Sequence, residues 1–336
     1  MKVLILFGGE SSEHEVSVVS AGNIYKAINK KKHQVSLAFI SRDGRFYIVD
    51  KVKKYNNTNR LKEIYPILGQ NRFESKDGKT VVAPDVFFPV MHGENSEDGA
   101  ILALAKLLHI PVVGCDMYAS ALCMDKLATK RVLEYVGIKT APWIAHRIGD
   151  GVDFDKVTAK LGMPVFVKPT KTGSSVGISK VKSEAKLATA LKLAHKYGDL
   201  ALIESAIPDA REIEVAMLGG KKQVRASVAG EIVPDREFYD YESKYSDDST
   251  SQAIIPADLP KETAKQIHDS AIKAWRALGC NGLARIDFLL GNDGQLILNE
   301  VNTLPGFTNI SMYPKLWEYM GLSQTELIEE LLKRAK

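Results

Sequence analysis

The first third of the chain alternates short apolar runs, many of them β-branched, with stretches that have helical periodicity. The predicted strands are residues 3–7, 35–40, 85–90 and 111–113, and the predicted helices lie near residues 15–29 and 97–109. This alternation is typical of a parallel sheet with helices on its faces. We therefore predict that the chain begins with a parallel α/β domain. Residues 43–80 are polar and contain two Asp-Gly turns, so we expect a peripheral insertion with small hairpins.

A new strand-rich section begins at residues 164–167. Strands are predicted at residues 164–167, 200–205 and 212–215, and helices at residues 121–136 and 262–278. We place one domain boundary near residue 118 and a softer one near residues 207–211. These boundaries predict three domains, at residues 1–117, 118–210 and 211–336.

Composition excludes some classes of protein. The 336 residues include 45 basic and 41 acidic side chains, a net charge of +4 without a long basic run, so no nucleic-acid partner is expected. Cys115, Cys123 and Cys280 have neither disulfide-framework nor zinc-site spacing, and we interpret them as reduced core residues. No apolar run has the length of a signal peptide or a membrane span, so we expect a soluble cytoplasmic protein without a membrane partner.

A hairpin over residues 284–302 has the most unusual side chains in the sequence. Asn-Asp-Gly at 292–294 separates two apolar runs, and a turn centred there places Asp287 opposite Leu298. In that register one face of the hairpin carries Arg285, Asp287, Glu300 and Asn302. Oxygen ligands of this kind suit Mg²⁺, although a solvated face with a cross-strand Arg285–Glu300 pair explains the pattern equally well.

The loops that flank these elements favour the metal interpretation. Residues 303–308 follow the hairpin with several turn formers, and Gly306 permits close approach of a ligand to the backbone. Residues 168–177 form a Gly/Ser loop behind a strand, with Lys168 at the strand's end, where it can reach a phosphate. This is not a Walker A sequence, because the lysine precedes the loop. Taken alone, the loop is more typical of a plain turn, and Lys126 of a solvated surface charge.

Residues 236–251 have no sustained period, many charges and four aromatic side chains. Long loops of this kind within compact domains often cover active sites. We therefore predict a lid over residues 236–251.

Together and in this order, the motifs resemble those of ATP-grasp enzymes, and more closely those of the D-alanine–D-alanine ligases. The resemblance covers nearly the whole chain. It rests on residues 8–17, His92-Gly93, Glu97-Asp98-Gly99, Met124-Asp125-Lys126, Lys168-Pro169, residues 173–177, Tyr239-Asp240-Tyr241, Lys244-Tyr245, Arg285-Ile286-Asp287 and residues 299–306. Ser96 stands where the family usually has a glycine, and Ala206 where some relatives have an aromatic residue.

The resemblance implies a fold and an activity. Residues 1–117 would be an N-terminal α/β substrate-binding domain. Residues 118–210 and 211–336 would be the central and the catalytic C-terminal α+β domains of an ATP-grasp fold, which hold ATP between them. The activity would be ATP-dependent joining of two D-alanines through an acyl phosphate, for peptidoglycan precursor synthesis. A homodimer is implied as well.

The resemblance also implies residue roles. ATP would be bound by Lys126, Lys168, Ser175, Glu204, Ile207 and Glu212. Two Mg²⁺ (or Mn²⁺) ions would be held by Asp287, Glu300 and Asn302. The first D-alanine would be bound by Glu13 with His92 nearby, and the carboxylate of the second by Lys244 and Ser311. The developing oxyanion would face Arg285 and the Gly306 N–H, and hydrogen bonds among Glu13, Ser174 and Tyr245 would link the domains when the lid closes.

Three alternatives stay open at this stage. A dinucleotide-binding dehydrogenase would need Gly-x-Gly-x-x-Gly spacing, which Gly8-Gly9-Glu10 does not provide. A non-catalytic ATP-binding regulator would lack a metal ligand or Arg285, and the chain has both. A ligase that takes D-lactate or D-serine as its second substrate is the third, and Tyr245 favours D-alanine over these.

Overall fold

The computed structural model describes residues 1–220, 222–233 and 251–335, whose strands form three sheets. The strands of the first sheet are β1 (Lys2–Gly8), β2 (Gln34–Ile40), β3 (Phe46–Val49), β4 (Lys62–Ile67), β5 (Arg72–Glu74), β6 (Val81–Val82) and β7 (Val86–Pro89). Their order is β6-β5-β4-β3-β2-β1-β7. Two helices accompany them, α1 (His14–Ala27) and α2 (Ala100–Leu107). β1 pairs in parallel with β2 and β7, which confirms the parallel arrangement predicted for this part of the chain.

The first sheet is mixed as a whole. The predicted hairpins of residues 43–80 do form, and they continue the sheet with antiparallel strands from β3 outward. The strand predicted at 111–113 is only an isolated parallel bridge between Phe87 and Val112. Phe87 N donates to Pro111 O, and Val113 N donates to Phe87 O. Pro111 has no N–H to donate, so the pairing does not extend beyond these two hydrogen bonds.

The helix predicted at 121–136 is two helices, α3 (Met117–Met124) and α4 (Lys126–Tyr135). Asp125 separates them because its side chain accepts hydrogen bonds from Leu127 N and Ala128 N, both at 3.1 Å, and so begins a new helix. The break directs Lys126, the first residue of α4, toward the next sheet, where its backbone N–H donates to Thr170 O at 2.9 Å.

The second sheet lies in the middle of the chain and is antiparallel. Its strands are β8 (Trp143–Arg147), β9 (Val165–Pro169), β10 (Ser179–Val181) and β11 (Leu200–Ser205), in the order β10-β9-β11-β8. Helices α5 (Phe154–Leu161) and α6 (Glu184–Ala194) cover it. Buried aliphatic residues such as Val165, Leu187 and Ile203 form a core of their own between strands and helices.

The third sheet is also antiparallel. Its strands are β12 (Arg211–Gly219), β13 (Val224–Val233), β14 (Gln252–Ile254), β15 (Gly282–Leu290) and β16 (Leu296–Asn302), in the order β14-β13-β12-β15-β16. The helices that follow are α7 (Lys261–Ala277), α8 (Met312–Tyr319) and α9 (Gln324–Arg334). α7 confirms the helix predicted at 262–278, with Ile267, Ala271 and Ala274 buried as expected.

The two faces of the third sheet pack against different partners. Ile213, Val215 and Phe288 share a core with α7, and the three cysteines, all buried and free as predicted, belong to this core. On the other face, Ala216 and Leu283 join a core that also contains side chains of β1, α1, α8 and α9. The first and third sheets are therefore held together by one hydrophobic core. The domain boundaries near residues 118 and 207–211 stay predictions.

The hairpin of β15 and β16 forms as predicted, with a different register. Next to the turn Phe288, and not Asp287, lies opposite Leu298, and a β-bulge then leaves Asn299 without a partner across the strand. Beyond the bulge Asp287 lies opposite Glu300 and Arg285 opposite Asn302. Next to the turn, the pairing differs by one residue from the predicted one, which would put the polar side chains of the two strands on opposite faces. The extra residue of the bulge restores them to one face. The predicted shared face is therefore confirmed, although the predicted pairing is wrong.

Candidate active site

A cavity of about 680 Å³ lies between the three sheets. It is lined by every predicted site residue that the structure describes, namely Glu13, His92, Lys126, Lys168, Ser174, Ser175, Glu204, Ile207, Glu212, Arg285, Asp287, Glu300, Asn302, Gly306 and Ser311. Lys244 and Tyr245 lie outside the described residues, as does the predicted lid up to residue 250. Residues separated by up to about three hundred positions in sequence thus surround one space, which is large enough for a ligand of nucleotide size.

Arg285 lines the cavity and is held in place by two carboxylates. Its Nε and Nη2 donate to Asp287 Oδ1 and Oδ2 at 2.8 and 2.7 Å, and Nε also lies 3.1 Å from Glu214 Oε2. Burial by itself lowers the pKa of Arg285, but Asp287 and Glu214 outweigh it and raise the pKa well above its usual value. The guanidinium is therefore a fixed positive charge with a defined orientation.

Three carboxylates form a row across the third sheet. Glu214 on β12 pairs with Asp287 on β15, which pairs with Glu300 on β16, so all three side chains share a face. Asn302 adds an amide, whose Oδ1 accepts a hydrogen bond from Leu304 N at 3.0 Å. Within the described ranges, no group of three or more His, Cys, Asp or Glu side chains is gathered closely enough to hold a metal.

The donor set fits a hard cation that shares its ligands with a substrate. Asp287, Glu300 and Asn302 present only oxygen ligands, the kind that Mg²⁺ takes together with substrate phosphates. Both oxygens of Asp287 accept hydrogen bonds from Arg285, so a cation would have to compete with the guanidinium for them. The site is therefore suited to a metal that enters with a polyanionic ligand.

The opposite wall of the cavity is cationic. Lys126 Nζ donates to Thr172 O, and Lys168 Nζ forms an ion pair with Glu204 Oε2. Burial lowers the pKa of Lys126, and Glu300 and Glu204 oppose that effect. Glu204 is itself only 3% exposed. Both lysines line the same cavity as the carboxylates of the third sheet, and such an arrangement can hold a polyphosphate.

The Gly/Ser loop beside Lys168 has an unusual backbone. Ser174 and Ser175 have φ values of 48° and 60°, in the left-handed region that non-glycine residues rarely adopt. Thr172 Oγ1 donates to Val176 O at 3.0 Å and closes the turn. Such αL residues are often found where a loop meets a ligand, and these two serines line the cavity.

A buried histidine lies on the side of the cavity that the N-terminal part of the chain forms. His92 Nδ1 donates to Leu304 O at 3.1 Å and lies 3.8 Å from Glu97 Oε1. Burial by itself lowers the pKa of His92, but Glu97 and Glu13 outweigh it and raise the pKa. Burial raises the pKa of Glu97, His92 opposes it, and Glu13 and Glu300 raise it further. This end of the cavity therefore combines an acidic cluster with an imidazole, a suitable environment for an ammonium group.

The turn after β16 closes the site. Thr308 N donates to Ser311 Oγ at 2.9 Å, and Phe307 N to Ser20 Oγ at 3.1 Å. A Cβ at Gly306 would lie 2.8 Å from Ser311 Oγ, so a side chain there would displace the serine. The backbone at 306 therefore runs close to Ser311, and a side chain there would disturb the hydrogen bond that Ser311 Oγ accepts from Thr308 N.

Comparison with known proteins agrees with this geometry. The family profile described as "D-ala D-ala ligase N-terminus" matches residues 2–115, and "D-ala D-ala ligase C-terminus" matches residues 132–333. A D-alanine–D-alanine ligase of Thermoanaerobacter sp. (strain X514) is 46% identical over an alignment of 346 positions, gaps included, which covers 99% of this chain and 96% of that one. A D-alanine–D-alanine ligase A of Salmonella typhimurium is 40% identical over an alignment of 349 positions, which covers 100% of this chain and 95% of that one.

Solved structures are similar over the same length. The D-alanine–D-alanine ligase of Coxiella burnetii has a TM-score of 0.88 at 34% identity, covering 100% of this chain and 95% of that one. The VanG D-Ala:D-Ser ligase of Enterococcus faecalis has a TM-score of 0.89 at 32% identity, covering 99% and 98%. The chain belongs to the D-alanine–D-alanine ligase family. Its mixed N-terminal sheet and two antiparallel sheets match the ATP-grasp ligase structures, which confirms the predicted fold class.

Sequence reasoning missed three charged residues of this ligase site. Glu97 belongs to a recognised motif, but only the structure shows that it reaches His92. Glu214 alternates with Glu212 and so had to share its face, which the sequence pattern contained. Lys130 lies one helical turn after Lys126 and forms an ion pair with Glu204 Oε1, a contact between distant segments that no local pattern indicates.

Proposed function

We propose that this protein joins two D-alanines to form D-alanyl-D-alanine, converting ATP to ADP and phosphate by way of D-alanyl phosphate. The dipeptide would serve peptidoglycan precursor synthesis and cell wall formation. As an ATP-grasp ligase the protein uses ATP. The observation that carries the proposal is the convergence of all described residues expected from the family motifs on one cavity.

The proposed reaction has two steps and requires positive groups near the triphosphate. A carboxylate is a poor acyl donor, so its oxygen first attacks the γ-phosphorus of ATP, and ADP leaves. The amine of the second D-alanine then attacks the acyl carbon, phosphate leaves with its bridging oxygen, and the amine loses its proton. Approach of a carboxylate to a triphosphate is repulsive, and positive groups at the cavity wall reduce that repulsion.

We assign the nucleotide to the wall formed by the second sheet. Lys126 and Lys168 would contact the phosphates, with Ser175 of the Gly/Ser loop beside them. Glu204 and Ile207 would contact the adenine and Glu212 the ribose. The cationic wall, the buried carboxylate and the αL loop that lines the cavity support this assignment.

We assign Mg²⁺, or Mn²⁺, to Asp287, Glu300 and Asn302. When bound, the metal would neutralise phosphate charge and orient the triphosphate. The three oxygen-bearing side chains share one face of β15 and β16, and this arrangement supports the assignment. The family motifs imply two such ions.

The alanine subsites would occupy the other side. Glu13, with His92 close by, would bind the ammonium of the first D-alanine, and Ser311 the carboxylate of the second, with Lys244. Arg285 and the Gly306 N–H would stabilise the oxyanion that forms during amine attack. The fixed guanidinium supports this role, because a preorganised donor stabilises charge as it develops.

Contacts between domains would complete the site. Glu13, Ser174 and Tyr245 would form a hydrogen-bonded link as the lid closes over the acyl phosphate, excluding water. A Cβ at Gly173 would lie 3.9 Å from Glu13 Oε2, so the Gly/Ser loop already approaches that carboxylate.

A homodimer and a cytoplasmic location are proposed from family membership. Within residues 1–220, 222–233 and 251–335, no helix combines the length and apolar character needed to cross a membrane.

The choice of second substrate has one competing candidate. The structural similarity to a D-Ala:D-Ser ligase keeps D-serine as an alternative acceptor. Tyr245, in the predicted lid, favours D-alanine by resemblance. Both candidates use the same donor and the same acyl phosphate.

The proposal is tested by ADP and phosphate release with D-alanine, L-alanine, D-serine and D-lactate, alone and paired with D-alanine. Mass spectrometry identifies each product. D-Alanine alone should give stoichiometric ADP, phosphate and dipeptide, while L-alanine gives none. Dipeptide formation only when D-serine is present would reassign the acceptor. ATP turnover without an amide or ester product would reject ligation.

A further inference from the structure

Lys130 lies behind the nucleotide wall of the cavity. It is 3% exposed and is buried on α4, one turn after Lys126. Its Nζ forms an ion pair with Glu204 Oε1 and donates to Ala141 O at 3.1 Å. Lys130 does not line the cavity, whereas Lys126 and Lys168 do.

Lys168 holds the other oxygen of the same carboxylate. Its Nζ pairs with Glu204 Oε2, yet its side chain is 15% exposed and lines the cavity, compared with 4% for the Lys130 side chain. The two lysines therefore differ in their freedom to move. Lys130 is anchored between Glu204 and a backbone carbonyl, whereas Lys168 can turn toward a ligand in the cavity.

We propose that Lys130 is a positioning residue for the nucleotide: it keeps Glu204 in place and charge-balanced, so that Lys168 can leave Glu204 and contact the ATP phosphates. This inference rests on the proposed function, in which Glu204 contacts adenine and Lys168 contacts phosphate. Lys130 acts through Glu204 and Lys168 and is not itself a catalytic residue.

The physical reason is the cost of an unpaired buried charge. A carboxylate as buried as Glu204 is strongly destabilised when its last cationic partner is removed. Burial by itself raises the pKa of Glu204, but Lys168 and Lys130 outweigh it and lower the pKa, so the group is ionised at neutral pH. With Lys130 present, one cation stays when Lys168 moves. Without it, Lys168 would be retained by Glu204 and withheld from the phosphates.

The test compares nucleotides with and without phosphates. Isothermal titration calorimetry of the full chain, without divalent metal, gives the Kd of adenosine and of ATP and thus the affinity gained from the triphosphate. Lys130→Met should reduce that gain about tenfold or more, which corresponds to about 1.4 kcal/mol, because Glu204 would then retain Lys168. Adenosine affinity should change by less than about threefold, because Lys168 continues to hold Glu204.

Two further variants separate positioning from a purely structural role. Lys130→Arg retains the charge and should largely restore the gain. Glu204→Gln removes the charge that retains Lys168, so adding Lys130→Met to Glu204→Gln should leave the gain unchanged. A structural role of Lys130 would not be suppressed in this way. This double variant also removes both buried charges, which keeps the test available if Lys130→Met alone folds poorly. Lys160→Met, an exposed lysine on α5, is the matched control.

The outcomes are distinct. An unchanged triphosphate gain in folded Lys130→Met overturns the proposal, as does an equal loss in Lys130→Met with and without Glu204→Gln. Adenosine affinity that is unaffected by Glu204→Gln would instead reject the adenine contact assigned to Glu204. In that case the effect of Lys130 on the triphosphate gain would still report its action on Lys168.

Discussion

Arg285 makes close contacts with two carboxylates, and these have different proposed tasks. Asp287 is a proposed metal ligand, and both of its oxygens accept hydrogen bonds from the guanidinium. Glu214 contacts Arg285 Nε at 3.1 Å and has no metal role in the proposal. When the metal takes Asp287, Glu214 is the carboxylate that can keep the guanidinium oriented toward the oxyanion.

Glu214→Gln should therefore lower kcat about tenfold or more, since a charge-assisted hydrogen bond contributes roughly 1.5–3 kcal/mol. The Kd of ATP should change little, because Arg285 is assigned to the oxyanion. Steady-state kinetics and calorimetry on the same preparation measure both quantities. Arg285→Met, which removes the donor itself, should lower kcat about a hundredfold or more. A normal kcat in Glu214→Gln would show that Asp287 alone orients the guanidinium.

Glu300 tests the proposed metal site. Glu300→Gln keeps the shape of the side chain but removes its charge, so turnover should fall by about two orders of magnitude or more and the Mg²⁺ concentration for half-maximal activity should rise. Thermal unfolding without metal should stay near that of the parent protein. Near-normal turnover at an unchanged Mg²⁺ requirement would remove Glu300 from the metal site.

At the scale of elements, the Gly/Ser loop depends on Gly177. Its φ is +75°, and a Cβ there would lie 2.8 Å from both Pro169 Cγ and Tyr197 Cδ2. Gly177→Ala should lower the free energy of unfolding by roughly 1–3 kcal/mol and raise the KM for ATP, because the loop must shift. Gly151→Ala, where a Cβ meets nothing within 4 Å, is the matched control. Equal ATP KM values for the two variants would show that loop position does not affect nucleotide binding.

The hairpin of β15 and β16 and the break between α3 and α4 illustrate what could and could not be predicted from the sequence. The shared face of Arg285, Asp287, Glu300 and Asn302 followed from strand alternation, but the bulge at Asn299 did not, since no local residue type requires it. The break between α3 and α4 was visible in principle, because Asp125 is a good N-cap residue within an otherwise helical pattern. Chemistry carried by motifs was predictable, whereas exact pairing depends on packing.

At the scale of the molecule, the site is held by contacts between distant segments. His92 donates to Leu304 O at 3.1 Å, and Asn23 Nδ2 donates to Phe307 O at 2.9 Å. Side chains of β1 and α1 share one core with α8 and α9. Sequence periodicity indicates which face of each element is apolar, but not which other element covers it. For that reason the ion pair of Lys130 with Glu204, and the joining of the first and third sheets, could be seen only in the structure.

In the proposed reaction one carboxylate is activated by phosphorylation and then captured by an amine. D-Alanine labelled with oxygen-18 in both carboxylate oxygens tests it directly, with phosphate and dipeptide analysed by mass spectrometry. Reaction through an acyl phosphate should give one labelled oxygen in each phosphate, ADP without label, and a dipeptide that has lost one label from its donor residue. Unlabelled phosphate, or AMP that carries the label, would contradict an acyl phosphate at this site.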